Sequence, residues 1–380
     1  MDELSLGVMA RSRKPDEYRL PIHPSHLDRI DPAVRRRVFL EVGYGGRFGV
    51  PDERLATLVG GLRSREQLVE QCEVILLPKP TADDLADLRV GQVLWGWPHC
   101  VQDETVTQLA IDRRLTLIAW EAMNHWAIDG AYQLHVFHKN NELAGYCSVL
   151  HSMQLIGTTG SYGRRLRAAV ISFGATARGA VIALNALGVS DVTVLTHRDV
   201  SAVASPIHGA QLLQFERDDR EPSRSVVPAS PGLKPLAEFL AEHDIVVNCV
   251  LQDTDAPLMF VTSEELELFE PGTLFVDVSC DEGMGFEWAR PTSFEDPMRQ
   301  VGASMHYYAV DHSPSYLWDS ATWEISEALL PYLGTVLAGP AAWETDQTIR
   351  RAIEIRDGVI QNPKILSFQG RAKEFPHHKL

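Results

Sequence analysis

Four short stretches hold residue types that could do chemistry together. They are Lys14-Pro15-Asp16-Glu17-Tyr18-Arg19 running on to Pro24, Leu77-Pro78-Lys79-Pro80, Trp95-Gly96-Trp97-Pro98-His99-Cys100, and Val276-Asp277-Val278-Ser279-Cys280-Asp281-Glu282-Gly283. Reducing a 2-oxo acid or its imine needs a cation to fix the carboxylate, a proton donor for the developing oxygen or nitrogen, and a pocket that keeps water from the hydride. Arg19 and Lys79 meet the first need and His99 the second. Any one of them alone is also what a solvated surface charge or a hydrogen-bonded structural histidine looks like. What singles them out is position: each stretch lies at the end of an apolar run or in the loop after it, where open α/β sheets place their ligands.

A fifth stretch points to the hydride source. Ala168 to Phe173 reads as a strand, Gly174-Ala175-Thr176-Ala177-Arg178-Gly179 as a turn of small residues, and a helix follows. Free N–H groups and the helix dipole at such a terminus can hold a pyrophosphate, with Gly174 letting backbone approach it. Against the G-x-G-x-x-G/A fingerprint, Ser172 replaces the first glycine, Gly174 is the second and Ala177 takes the third position. The motif is degraded, and it gains weight because strand, turn, helix and next strand follow in order over about 30 residues. Ser172, Gly174, Ala175, Thr176 and Ala177 are therefore the expected cofactor contacts. At the end of the next strand, where an acidic residue would hold a ribose 2′-hydroxyl, stand Thr196, His197 and Arg198. A carboxylate there would repel a 2′-phosphate, whereas Thr and Arg can hydrogen-bond it, so NADP(H) is expected over NAD(H).

These residues need a scaffold. In the first third, the apolar runs Leu4 to Ala10, Val38 to Val42, Val74 to Leu77, Gln92 to Trp97 and Leu115 to Trp120 alternate with polar, helix-compatible stretches, the pattern of βαβ units around a parallel sheet. A long helical pattern over Asn141 to Ile156 leads into a second α/β series. That series has strands at Ala168, Val192, Ile245 and Thr273, and helices around Leu236 to Ala241 and Ser263 to Phe269. Arg217 to Leu233, rich in Pro, Ser and charge, reads as a surface loop. The helical pattern after Ser320 and the tail are too short for a third domain. The expected fold is α/β: two Rossmann-like domains with parallel sheets and an interdomain cleft. Residues 1–136 and 319–380 would form a discontinuous substrate domain, and residues 137–318 the dinucleotide-binding one.

With 380 residues the chain exceeds the roughly 250–300 at which one core stops growing, which agrees with two domains. A net charge of −16 without any Lys/Arg block excludes nucleic acid as the partner. No apolar run reaches the ~18 residues of a membrane span, and Met1-Asp2-Glu3-Leu4 does not open a signal peptide, so a cytoplasmic protein is expected. The five cysteines lack CxxC spacing and read as reduced core thiols, Cys100 included. His125, His135, His138 and His151 show no ligand spacing, and no metal is expected.

Glu17-Tyr18-Arg19 to Pro24 resembles the E-[FY]-R-x-x-[IL]-x-P segment of the alanine dehydrogenase, saccharopine dehydrogenase and transhydrogenase N-domain superfamily. The resemblance runs through Asn141-Glu142-Leu143-Ala144-Gly145 to Phe286-Glu287 and Arg290-Pro291-Thr292. It implies that Arg19 and Lys79 bind a substrate carboxylate, that His99 is the acid/base, and that Asp281 faces the substrate or positions the nicotinamide. Gly96-Trp97-Pro98-His99-Cys100-Val101-Gln102 and Tyr308-Ala309-Val310-Asp311-His312-Ser313-Pro314-Ser315 are most similar to the N5-(carboxyethyl)ornithine synthases. Those enzymes use NADPH to join an amino acid's amine reductively to pyruvate. Alanine dehydrogenases differ by a more glycine-rich turn and an acidic residue in place of Thr196.

The implied activity is NADPH-dependent condensation of an amino acid amine with a 2-oxo acid by a homo-oligomer, with catalytic His99, Lys79 and Asp281. The alternatives are alanine dehydrogenase-like deamination, a saccharopine dehydrogenase-like activity, and a nucleotide-binding module without turnover. Asp311 and His312 fit either a place at the cleft or a hydrogen-bonded hinge.

Overall fold

The structure, a computed structural model, describes residues 4–197, 208–218, 221, 224–230, 232–253 and 255–380. The chain divides into two compact units, one of Met1–Phe137 with Trp318–Leu380, the other of His138–Leu317. Each is built on a largely parallel sheet, as the alternation of apolar runs implies.

In the first unit, strands β1 (Leu6–Val8), β2 (Val38–Glu41), β3 (Gly61–Arg63), β4 (Val74–Leu76), β5 (Val93–Gly96) and β6 (Thr116–Ala119) are parallel, in the order β6-β5-β4-β1-β2-β3. Ile353–Arg356 extends the sheet antiparallel to β6, so the C-terminal segment completes this unit. Its strands alternate between two buried faces: Val74 and Leu76 pack with Leu6, Val8 and Trp95, while Ile75 and Leu77 pack with Met9, Leu94 and Leu117. Burial on both sides explains why the strands read as continuous apolar runs. The chain moves outward from β1 to β3 and returns on the other side of β1 with β4. That reversal opens a crevice at the carboxyl ends of β1 and β4.

The second unit repeats the plan. Strands β7 (Arg167–Ile171), β8 (Asp191–Thr196), β9 (Gln211–Gln214), β10 (Ile245–Asn248), β11 (Leu274–Asp277), β12 (Met298–Val301) and β13 (Met305–Tyr308) form one sheet in the order β9-β8-β7-β10-β11-β13-β12, with only β12 antiparallel. Its reversal falls between β7 and β10, beside the small-residue turn.

Two expectations are corrected. Arg217 to Leu233 is not simply a surface loop, because Ser225–Pro228 pairs antiparallel with Leu233–Pro235 and with Glu216–Arg217. Val226 and Val227 carry that pairing within a segment whose Pro and Ser content suggested irregular chain. The segment Ser263 to Phe269 contributes a short 3-10 turn, Glu264–Leu268, in place of an α-helix.

Helix His138–Leu155 lies against helix Ala175–Ala186, and two glycines set their separation. A Cβ at Gly179 would overlap the Glu142 carbonyl, and one at Gly145 would overlap the Thr176 carbonyl. The helix that begins at the cofactor turn is thereby held by backbone-to-backbone contact. Gly179→Ala should cost about 1–3 kcal/mol or more through overpacking, read as a lowered midpoint in urea unfolding. An unchanged midpoint would show that the helices can separate freely.

Candidate functional site

The loop after β1 carries Arg19, which is 5% exposed, as is its neighbour Glu17 at 7%. The Arg19 guanidinium donates from Nε to Glu17 Oε1 at 2.7 Å and pairs through Nη2 with Oε2, while the Arg19 amide also donates to Oε1 at 3.0 Å. The Trp97 ring lies 5.1 Å from the guanidinium carbon, and Trp97 itself packs edge-on to Trp120 and Phe137. Beyond Arg19 the loop is pinned within its unit: Leu20 N donates to Thr322 Oγ1 at 2.9 Å, and Ile22 exchanges hydrogen bonds with Tyr44.

Lys79 follows β4, and Ser12 of the β1 loop donates its hydroxyl to the Lys79 carbonyl. His99 follows β5. The two stretches are joined directly, since Trp97 N donates to Pro78 O at 2.8 Å and a Cβ on Gly96 would overlap the Leu77 carbonyl. Glycine at 96 thus lets the His99 segment run against the Lys79 segment. His99 is held at φ +50°, with its amide donating to Glu121 Oε1 at 2.7 Å. Arg19, Lys79 and His99 therefore sit on loops after three neighbouring strands, β1, β4 and β5.

Glu121 was not singled out in the sequence, and it organises the floor of this site. It sits in the 3-10 turn after β6, and its Oε2 is buried without a hydrogen-bond partner among the described residues; the same holds for Oε2 of Glu354, from the strand Ile353–Arg356. Burial and the nearby Glu354 push the Glu121 carboxyl far above its ordinary range, to about 8, with Lys79 pulling the other way. Two desolvated carboxyls this close retain a proton. Burial, with Glu354 and Glu121 nearby, holds the Cys100 thiol well above its ordinary range, so it stays protonated as a core thiol. Gln369 and Thr107 both donate to the Cys100 carbonyl at 2.7 Å and fix the chain after His99.

In the second unit, β7 is followed directly by Ser172 at φ +114°, a conformation that favours glycine, so Ser172 does occupy a glycine-like position. Gly174 N donates to Ser172 Oγ at 3.3 Å, and Gly174 is the N-cap of the twelve-residue helix Ala175–Ala186, with no side-chain cap. A Cβ at Gly174 would meet nothing nearer than Ser172 Oγ at 3.8 Å, so the space before the helix is open. Ala177 is buried, while Ala175 and Thr176 remain partly accessible at the mouth. These features fit a dinucleotide's pyrophosphate. Thr196 ends β8 and is 2% exposed, while the His197 ring is exposed edge-on to Phe215. Arg198 lies outside the described residues.

Asp281 follows β11, two strands from the turn, and burial raises its carboxyl to about 6. Its loop hangs from Asp277, a fully buried carboxylate that accepts from Asn248 Nδ2 at 3.0 Å, Tyr307 Oη at 2.8 Å and Cys280 N at 3.1 Å. Sequence reasoning passed over Asp277, although its place at the last position of a buried strand was the available signal. His312 Nδ1 lies 2.6 Å from Asp311 Oδ1, and Ser313 Oγ donates to Ala144 O. Asp311 and His312 are thus tied into the second unit.

A nucleotide-ready Rossmann turn on one sheet, and a lysine, a histidine and a buried arginine at the strand ends of another, define a dehydrogenase-type oxidoreductase. Family models make this specific: the alanine dehydrogenase/PNT C-terminal domain matches residues 151–363 and the N-terminal domain residues 7–144. The chain belongs to the alanine dehydrogenase/PNT family, and it is a nicotinamide-dinucleotide-dependent oxidoreductase acting on amino acids.

Among curated relatives, an N(5)-(carboxyethyl)ornithine synthase of Clostridium botulinum is 22% identical over 86% of this chain and 92% of its own. An alanine dehydrogenase of Halomonas elongata is 26% identical over 91% and 92%. A solved L-alanine dehydrogenase superposes with a TM-score of 0.73 at 20% identity, covering 96% of this chain and 99% of the other. No described helix is long and apolar enough to cross a membrane.

The buried carboxyl pair has a measurable consequence. Glu121 holds its proton more tightly in the folded chain than in the unfolded one, so its contribution to stability is full at low pH. That contribution is lost as pH rises from its ordinary 4.5 through about 8. Glu121→Gln can still accept from His99 N and cannot ionise. Its melting temperature should exceed that of the wild type at pH 8 and the gap should close towards pH 5. A gap that does not vary with pH would mean that the pair carries no proton.

Proposed function

We propose that this protein catalyses the NADPH-dependent reductive condensation of an amino acid's amine with a 2-oxo acid such as pyruvate, forming an N-carboxyalkyl amino acid. The carbonyl oxygen leaves as water, a C–N bond forms, and the resulting imine carbon takes a hydride while the nitrogen takes a proton. When bound, the nicotinamide supplies that hydride. Arg19, oriented by Glu17 and Trp97, and Lys79 hold the carboxylate of the oxo acid. His99, fixed by Glu121, donates and recovers the protons of water loss, and Asp281 positions the substrate or the nicotinamide. The observation that carries this reading is the hydrogen-bonded run from the Ser12 contact at Lys79 to Trp97 and His99, which presents cation and acid/base on adjacent strand ends.

Ser172, Gly174, Ala175, Thr176 and Ala177 would hold the pyrophosphate. Thr196, His197 and Arg198 place no carboxylate against a 2′-phosphate, which supports NADP(H) over NAD(H). A second reading is reversible deamination, supported by the 26% identity to the Halomonas alanine dehydrogenase.

His99→Ala should lower kcat by about two to four orders of magnitude, the usual worth of a general acid/base, with NADPH affinity little changed. Near-normal turnover would remove His99 from the chemistry. The reaction itself is decided by competition: one 2-oxo acid, ammonium and a panel of amino acids, with products identified by mass. Secondary amines should dominate, with a higher kcat/KM for NADPH than for NADH. Formation of the simple amino acid alone would establish the second reading.

A further inference from the structure

The second unit holds a buried polar cluster at its strand ends whose effect on the chemistry is not accounted for above. Asn248, Asp277 and Tyr307 lie on the neighbouring strands β10, β11 and β13, all of them buried, and Asn248 and Asp277 are register partners at the last positions of β10 and β11. Asp277 forms no ion pair among the described residues. Burying a carboxylate without a cation costs stability, and a hydrocarbon side chain could fill the same place without that cost. The packing of the sheet therefore gives no reason for an acid at this position.

The reason lies in what the carboxylate ties together. Its Oδ1 accepts both from Asn248 Nδ2 at 3.0 Å and from Cys280 N at 3.1 Å, and its Oδ2 accepts from Tyr307 Oη at 2.8 Å. The bond to Cys280 N closes a tight turn in which Cys280 stands at φ +47°, a left-handed conformation uncommon for a cysteine. Asp281 is the next residue. The loop after β10 hangs from the same centre: Val250 N donates to Asn248 Oδ1 at 3.1 Å, and Ser279 Oγ donates to Val250 O at 2.6 Å. Gly285, at φ +75°, closes over the cluster, and a Cβ there would come within 2.9 Å of Asn248 Nδ2. In the order β7-β10-β11, the cluster underlies both loops between the cofactor turn and Asp281.

We propose that Asp277 is a positioning residue of the reaction: its carboxylate holds Cys280 in the left-handed turn that presents Asp281, and joins that loop to the one after β10. The inference rests on the role given to Asp281 above and names what sets its place. A change of φ at Cys280 swings every atom that follows, and a misplacement of about 1 Å can lower a rate on the order of a hundredfold.

The test compares two substitutions at one position, with turnover measured on the oxo acid and amine preferred in the competition above. Asp277→Asn keeps an oxygen for Asn248 and Cys280, and its kcat should stay within about threefold of wild type. Asp277→Ala removes that oxygen and leaves room for a water to take the stranded donors. Its kcat should fall by about ten- to a hundredfold, while NADPH affinity changes little because the turn at Gly174 is untouched. Should the alanine variant not fold, Asp277→Ser, whose hydroxyl is one atom shorter than the carboxylate, makes the same comparison. Amide exchange over residues 278–284, read by mass spectrometry, should quicken in the truncated variant and match wild type in Asp277→Asn. In an Asp281→Asn background the truncation should change kcat little, since the residue it positions is gone. Wild-type exchange in a folded truncation would overturn the proposal. So would a loss of turnover in Asp277→Asn as large as in the truncation, or a loss that is undiminished in an Asp281→Asn background itself impaired. If the truncation slows turnover and quickens exchange while Asp281→Asn alone turns over normally, Asp277 stands as the positioning residue of this loop and the role given to Asp281 falls.

Discussion

The Arg19 guanidinium is almost wholly withdrawn from water with a carboxylate against it, and the Glu17–Arg19 pair sets the terms for the first unit's site. Removing either partner would strand a buried charge, at a cost of about 3–5 kcal/mol. The pair costs desolvation in its own right, so its return is geometric: Glu17 receives both the side chain and the amide of Arg19, and Trp97 covers the guanidinium. The loop can therefore occupy one path only, from β1 past the Lys79 carbonyl to the anchor at Thr322. It also follows that Arg19 brings little net positive potential of its own. Any anion drawn to these strand ends must therefore be attracted by cations that are not so balanced.

Much of this was legible in the sequence because parallel strands buried on both faces announce themselves as apolar runs, and each named residue sits just past one. Val74 to Leu77 followed by Lys79, and Gln92 to Trp97 followed by His99, are cases where the end of the run and the candidate residue coincide. Ser172 was legible for another reason, since the turn geometry demands a positive φ and the fingerprint had already marked that position.

Glu121 and Glu354 were not legible. Each is a single acid without a motif, and they meet only because Ile353–Arg356 returns to pair with β6. A contact made by a strand that returns from the far end of the chain leaves no local trace. Asp277 escaped for the opposite reason: it looks like one more residue of a buried strand, and only the three donors converging on it show why a carboxylate belongs there. The segment Arg217 to Leu233 misled because composition reports irregular chain, whereas antiparallel pairing of Val226 and Val227 depends on partners close by in sequence and tolerates proline at the strand end.

Both units use the same sheet plan and the same reversal of strand order, yet they carry unlike chemistry at it. In the second unit the crevice is lined by backbone: a small-residue turn, an uncapped helix and an open approach at Gly174, all suited to a ligand common to many enzymes. In the first unit the strand ends carry side chains instead, with an ion pair, a lysine and a positioned histidine. Backbone recognition tolerates drift in sequence, which is why Ser172 can stand where glycine is usual. Recognition by side chains does not, because each substitution in a loop changes what the site can pair. Relatives that share the scaffold at 20–26% identity and carry different names agree with this division, since one sheet plan can hold different side chains on the loops at its strand ends.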